Sequence, residues 1–346
     1  MSTNFRFFAL PYLPLKQVLD HFGSQEILYF SLCSQKSKKL AVSYKGPSKN
    51  VQLELCFGNF DCLEDDFSSL LHVRQLSELP KDRVLDTVKI GRFSGIPVEK
   101  ISIPGEKMCL KTYWEDRIIG MTVIGDYARE VFNRDIYEVM LGDEHAENDH
   151  RKVVDWIRKS QRSIENFYCN FTPKVDEDID YLLENCKYNR MLSLFVKPSD
   201  AYCPASMPNF NQDILYLDPC FWIKQHHLLA MNATCIALHK SKFTHFDLNI
   251  FLKHWRNGGC FQLKELIVTC EVSIDYDILL DGVEFTEMDE DMQRDYVNDE
   301  KHHQTIEYGF DIKRPVDDVT ATIVDVGVDF KEFWMIVWPD FAGNTY

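Results

Sequence analysis

The chain has 346 residues, of which 45% are hydrophobic and 27% charged, and its formal net charge is -16 at pH 7. That length and mix support a substantial buried core and exclude a disordered chain. So negative a surface repels phosphate backbones and anionic lipid, so neither nucleic acid nor a membrane surface is expected as a partner.

Eleven cysteines are scattered without a C-x-x-C pair and read as buried free thiols of a reducing compartment. The start of the chain has no basic stretch followed by an apolar core. No run of about 18 apolar residues occurs anywhere. A cytoplasmic or nuclear location is expected.

In chain order, residues 5–47 read as three short helices. Leu10-Pro11 and Pro14 form a stiff helix entry. Leu15, Val18, Leu19 and Phe22 then make one apolar face. Gly23 can end that helix and Ser24 can cap the next, with Glu26 near its positive end. Ile27, Leu28, Phe30 and Leu32 supply a second apolar surface, Ser34 opens a lysine-rich third helix through Leu40, and Gly46-Pro47 closes the unit. Helices this short cannot bury all these residues among themselves, so apolar surface is left for a partner or for the rest of the chain.

The run from Phe8 to Val42, FALPYLPLKQVLDHFGSQEILYFSLCSQKSKKLAV, resembles an F-box. Leu10-Pro11 matches the opening Leu-Pro, Val18, Leu19 and Phe22 the first helix, and Ile27, Leu28 and Leu32 the second. Ser37 stands where many F-boxes carry tryptophan, a variant similar to a large nematode family. The resemblance implies docking to a Skp-type adaptor, and through it to a cullin, by Leu10, Pro11, Pro14, Val18, Leu19, Phe22, Ile27, Leu28 and Leu32.

Residues 48–135 read as a strand-rich connector. Val51, Leu53 and Leu55 alternate with polar residues, as do Val88 and Ile90, and Ile101 and Ile103. A hairpin-like piece around Trp114 and Gly120 leads into a helix ending near Phe132. Across 136–272, strand candidates centre on Val139, Phe167, Leu192, Leu215, Ile236 and Leu266, at intervals of 21 to 30 residues. Helical stretches lie between most of them, at 153–157, 179–186, 222–230 and 246–254. This rhythm predicts an α/β fold with a leucine-rich-repeat-like curved parallel sheet. A doubly wound α/β domain is the competing architecture, and it would require longer helices and a glycine-rich first turn.

Near residues 200–270 a second resemblance appears. DILYLDPCFWIKQHHLLAM, then DLNIFLKHWRNGG with Leu248, Asn249, Phe251, Leu252, Trp255 and Gly258, then LKELIV, are similar to the type 2 F-box-associated domain. The same family carries a late segment that Gly309 to Arg314 and Ala321 to Ile323 match, with Pro315-Val316-Asp317-Asp318 replacing an Asp-Gly turn. Residues 273–346 therefore read as an acidic segment followed by strands, with 333–338 closing a small antiparallel meander.

Chemistry is not evident in the sequence. Phosphate-loop, dinucleotide and nucleophile-elbow motifs are missing. The pairs His226-His227 and His302-His303 cannot converge on one metal, and His145 and His150 among Asp143, Glu144 and Asp149 read as a polar helix start. Pairing a cysteine with His239 or His245 as a nucleophile would rest on composition alone. No enzyme activity, metal or cofactor is expected. The two resemblances imply a substrate receptor of an SCF-type (cullin-RING) ubiquitin ligase, and a repeat-type interaction scaffold without that link is the alternative. The protein substrate is assigned to aromatics beside prolines in strand-to-helix loops, Tyr202 after Lys197-Pro198 and Phe221 after Asp218-Pro219.

Overall fold

The computed structural model describes residues 7–44, 50–58, 61–65, 68–79, 85–101, 109–142, 149–204, 210–289, 292–298, 303–327 and 331–338. Gly46-Pro47, Ile103, Asp143, Glu144, His145 and His302 lie outside them. The chain divides into two compact units, Met1–Asn170 with Asn185–Lys187, and Phe171–Glu184 with Tyr188–Tyr346. Both mix helices and strands, so the expected α/β class holds.

The first unit opens with α1 (Tyr12–Asp20), α2 (Ser24–Cys33) and α3 (Gln35–Ser43). Pro11 sits at the N-cap in extended backbone, and Pro14 falls in the first turn, where a missing N–H leaves no bond unmade. Gly23, not Ser24, holds the cap of α2. Its N–H donates to Glu26 Oε2 at 3.0 Å, because a carboxylate three residues on can reach back to the cap. Ser34 caps α3 by accepting from the Ser37 N–H at 3.1 Å.

Behind these helices lies a sheet of β1 (Leu53–Phe57), β2 (Cys62–Asp65), β3 (Ser68–Gln75), β4 (Asp86–Ile90), β5 (Phe93–Ile101), β6 (Cys109–Trp114), β7 (Ile136–Leu141) and β8 (Ile164–Cys169). Its order is β8-β7-β1-β2-β3-β6-β5-β4. β1, β7 and β8 run parallel, whereas β1, β2 and β3 form an antiparallel meander. Leu53, Leu55, Val139, Leu141 and Phe167 are buried core. The helix α4 (Arg117–Phe132) presses on this core, and a Cβ at Gly125 would come within 2.9 Å of both Leu55 and Trp156 of α5 (Asp149–Ser160).

The hairpin expected around Trp114 and Gly120 does not form. β6 ends at Trp114, Asp116 caps α4 by accepting from the Ile119 N–H at 3.0 Å, and Gly120 is helical. The glycine serves close approach instead, since a Cβ there would lie 2.6 Å from the Trp114 ring.

The second unit contains α6 (Glu177–Asn185), β9 (Tyr188–Leu194), β10 (Ile214–Leu217), α7 (Gln225–Ala230), β11 (Cys235–Leu238), α8 (His245–Arg256), β12 (Glu265–Thr269) and α9 (Tyr276–Leu279). It continues through β13 (Phe285–Glu287), β14 (Arg294–Val297), β15 (His303–Ile306), β16 (Gly309–Arg314), β17 (Val319–Val324) and β18 (Glu332–Trp338). β9, β10, β11 and β12 are parallel neighbours in chain order. Leu192, Leu215, Ile236 and Leu266 stand side by side in register, all buried. The order never reverses among these four strands, so they lack the switch point of a doubly wound sheet. β18, β17 and β16 then form the antiparallel meander. In its turn Asp318 takes φ 59° and Arg314 holds Asp317 at 2.8 Å, so a side chain supplies the left-handed position that glycine would otherwise take.

Much of the acidic segment is exposed, but it contains a folded part. The β14–β15 hairpin turns Tyr296 onto Trp334 and Trp338, each 6.0 Å away between ring centres. Arg294 is buried and reaches Asp311 through two 2.7 Å hydrogen bonds.

Candidate partner surfaces

The three N-terminal helices are seated on the first unit by polar clasps. Tyr29 donates to the Leu70 carbonyl at 2.9 Å and accepts from the Leu110 N–H at 2.8 Å, bridging β3 and β6. Ser31 and Tyr127 share a 3.0 Å hydrogen bond, and Lys38 pairs with Glu130 at 2.6 Å. Leu19, Ile27 and Leu28 are buried, so they hold the helices in place and a partner cannot reach them as they stand. Leu10, Val18, Phe22 and Leu32 are half-buried, and Pro11 and Pro14 are exposed.

Around these prolines is an apolar edge that the sequence reading missed. Tyr12 is 70% exposed, Leu13 71%, and Phe8 37%, the last lying under the Lys36 ammonium at 4.5 Å. Leu13 falls on the helix face of Lys16, Gln17 and Asp20, an apolar residue on a polar side, and that mismatch was the available signal. Beneath the edge, Phe7, Phe22 and Phe30 pack ring to ring at 5.4 to 6.1 Å. Asp20 ties α1 to α3 by accepting from the Tyr44 hydroxyl, and this bond, with Lys16 next, holds its carboxyl below the ordinary value.

The two proposed substrate aromatics part company in the structure. Tyr202 is only 6% exposed; its ring packs edge-on to Trp222 at 5.3 Å and its hydroxyl donates to Asp180 at 2.8 Å. Burial, then that bond, pushes its phenol well above the ordinary value. It is a core residue. Phe221 is half-buried and lines a recess of about 620 Å³ at the carboxyl ends of β9, β10 and β11. Phe195, 42% exposed, and Lys197, Asp200, Asp218, Pro219, Lys240 and Lys242 form the rest of its wall. Lys240 lies 2.8 Å from Asp218, and the Lys242 ammonium stands 5.5 Å above the Phe221 ring. The recess thus presents two aromatics among three lysines in a chain whose net charge is -16.

Among the described residues, neither surface gathers a nucleophile and a base. Burial pushes the Cys260 thiol up to about 11 and Cys270 to about 12, and raises Cys186 and Cys220 further. His239 pairs with Thr269 at 3.1 Å, and His227 Nδ1 accepts from the Lys224 N–H at 2.9 Å. His226 and His227 stack on each other at 4.1 Å.

Residues 206–268, from just before β10 into β12, match the family described as F-box associated. That stretch is similar to an F-box-associated domain. The chain is similar to the Skn-1 dependent zygotic transcript 15 protein of Caenorhabditis elegans, 24% identical over 238 residues. That match covers 64% of this chain and 64% of the relative, so less than two thirds of the relative's length is spanned. No solved structure matches.

The residues by which the sequence resembles this domain are its packing. Leu248, Phe251, Leu252 and Trp255 are fully buried on α8, and Asn249 donates to the carbonyls of Leu279 and Asp281 at 2.8 and 2.9 Å. Gly258 ends the helix at φ 91°. These residues form part of the buried core of the matched stretch.

Proposed function

We propose that this chain is the substrate-recognition subunit of an SCF-type (cullin-RING) ubiquitin ligase. The observation that carries the reading is an exposed apolar edge on three N-terminal helices whose sequence resembles an F-box, in a chain whose residues 206–268 match the F-box-associated family. A Skp-type adaptor would cover Leu10, Pro11, Tyr12, Leu13 and Pro14, with half-buried Val18, Phe22 and Leu32 at the margin. The second unit is read as leucine-rich-repeat-like, because its parallel strands are neighbours in chain order and each needs the next to bury its apolar face. A protein substrate would bind at the recess beside Phe221. The chain itself contributes no chemical group; it holds the substrate near a ubiquitin-charged enzyme, and orientation does the work. Such a receptor would act in the cytoplasm or nucleus, and no helix among the described residues is long and apolar enough to cross a membrane.

The test is mild affinity purification of the full chain from its native cells, with partners identified by mass. Recovery of a Skp-type adaptor and a cullin is expected. A folded chain recovered with stable protein partners but neither of these would instead support a scaffold without a ligase link.

A further inference from the structure

The register of the first sheet brings together residues that are six apart in the chain. Cys56 on β1 and Cys62 on β2 are direct cross-strand partners, and Glu64 lies two residues farther along β2. Cross-strand partners share a face of the sheet, as do residues two apart on a strand. The two sulfurs and a Glu64 carboxylate oxygen all lie within 4.8 Å of one another. Cys62 is 3% exposed, whereas Cys56 and Glu64 are half-buried, so the group is both shielded and open on one side.

We propose that Cys56, Cys62 and Glu64 form a zinc-binding site. Zinc takes thiolate and carboxylate together, and four donors around it at Zn–S distances of about 2.3 Å stand about 3.8 Å apart. Closing the present arrangement onto an ion therefore needs shifts of about 1 Å. The Cys62 thiol and the Ser69 hydroxyl both donate to Glu64 Oε1 at 3.2 Å, so the carboxylate is already turned toward the Cys62 sulfur. His72 is the register partner of Cys62 on β3, so a donor type suited to the fourth position stands on the next strand. Binding replaces two S–H bonds by two Zn–S bonds and releases two protons, with no change of oxidation state.

Two thiolates and a carboxylate this close in a shielded corner would repel one another, and a divalent ion removes that penalty. The site would also brace the strands under α2, since Gln25 donates to the Ser69 carbonyl at 3.2 Å and Tyr29 to that of Leu70.

The experiment uses the full chain, purified reduced and without chelator. Bound metal is measured by mass spectrometry, and cobalt(II) then replaces it so that thiolate-to-cobalt charge-transfer absorption reports sulfur ligation. The account expects about one zinc ion per chain and a thiolate band with tetrahedral cobalt absorption. Both should disappear in Cys56→Ser and Cys62→Ser, weaken in Glu64→Gln, and persist in a Cys33→Ser/Cys203→Ser chain that lacks the two exposed thiols. A wild-type chain without a thiolate band overturns the proposal, whether or not the variants fold. So does a band that survives Cys56→Ser but vanishes with Cys33 and Cys203, or a metal-free Cys56–Cys62 disulfide as the resting form.

Discussion

Replacing Tyr12 and Leu13 together by serine separates the partner surface from the core. Burying a leucine-sized side chain completely is worth about 1.5–3 kcal/mol. At 70% and 71% exposure, most of that gain is still unrealised in the free chain. If an adaptor covers both, the double change should weaken association by about 2–4 kcal/mol, or about 30- to 700-fold. Stability should barely move, because surface side chains that make few contacts cost within about 0.5 kcal/mol. Leu28→Ala is the contrasting perturbation. That side chain is 1% exposed, so its loss should cost about 2–5 kcal/mol of folding stability while removing no surface atom. The assay is paired: calorimetric titration with purified adaptor, and urea unfolding of each variant. An affinity loss under about threefold for the double variant, with a wild type that binds, would refute the assignment of the edge.

Three further outcomes follow from particular contacts. If the proposed receptor role holds, Phe221→Ser should reduce substrate capture while adaptor binding is kept; Tyr202→Phe, which removes the Asp180 bond inside the core, should lower the urea midpoint and leave capture unchanged. Gly120→Ala should destabilise the first unit by about 1–3 kcal/mol in urea unfolding, since its Cβ would lie 2.6 Å from Trp114. Acid should loosen α1 from α3: the Asp20 carboxyl is depressed below 3.8, so its contribution is full above that pH and is lost as pH falls through the lower folded value. Tyr44→Phe removes the main cause of the depression and should flatten the fall of the urea midpoint below about pH 4.

Much of the second unit was legible because buried parallel strands are short apolar runs and helices space them. Leu192, Leu215, Ile236 and Leu266 each fall inside a strand for that reason. Gly120 was misread, since glycine marks a turn and a close helix approach with the same letter. Tyr202 looked like a loop anchor because burial of its ring depends on Trp222, twenty residues away in a separate loop. The acidic run concealed Arg294 and Tyr296, whose inward alternation is only two residues long between exposed charges. Cys56 and Cys62 could not be paired from sequence, because their meeting depends on the β1–β2 register and no metal-type spacing announces it.

The central claim is that the N-terminal helices bind a Skp-type adaptor. Mixing the purified wild-type chain with purified adaptor and reading the mass by size exclusion with light scattering tests it without cells or substrate. The account predicts a stable one-to-one complex that the Tyr12→Ser/Leu13→Ser chain fails to form. Two separate peaks for a folded wild-type chain, at concentrations of about 10 μM where standard-size interfaces persist, would contradict it.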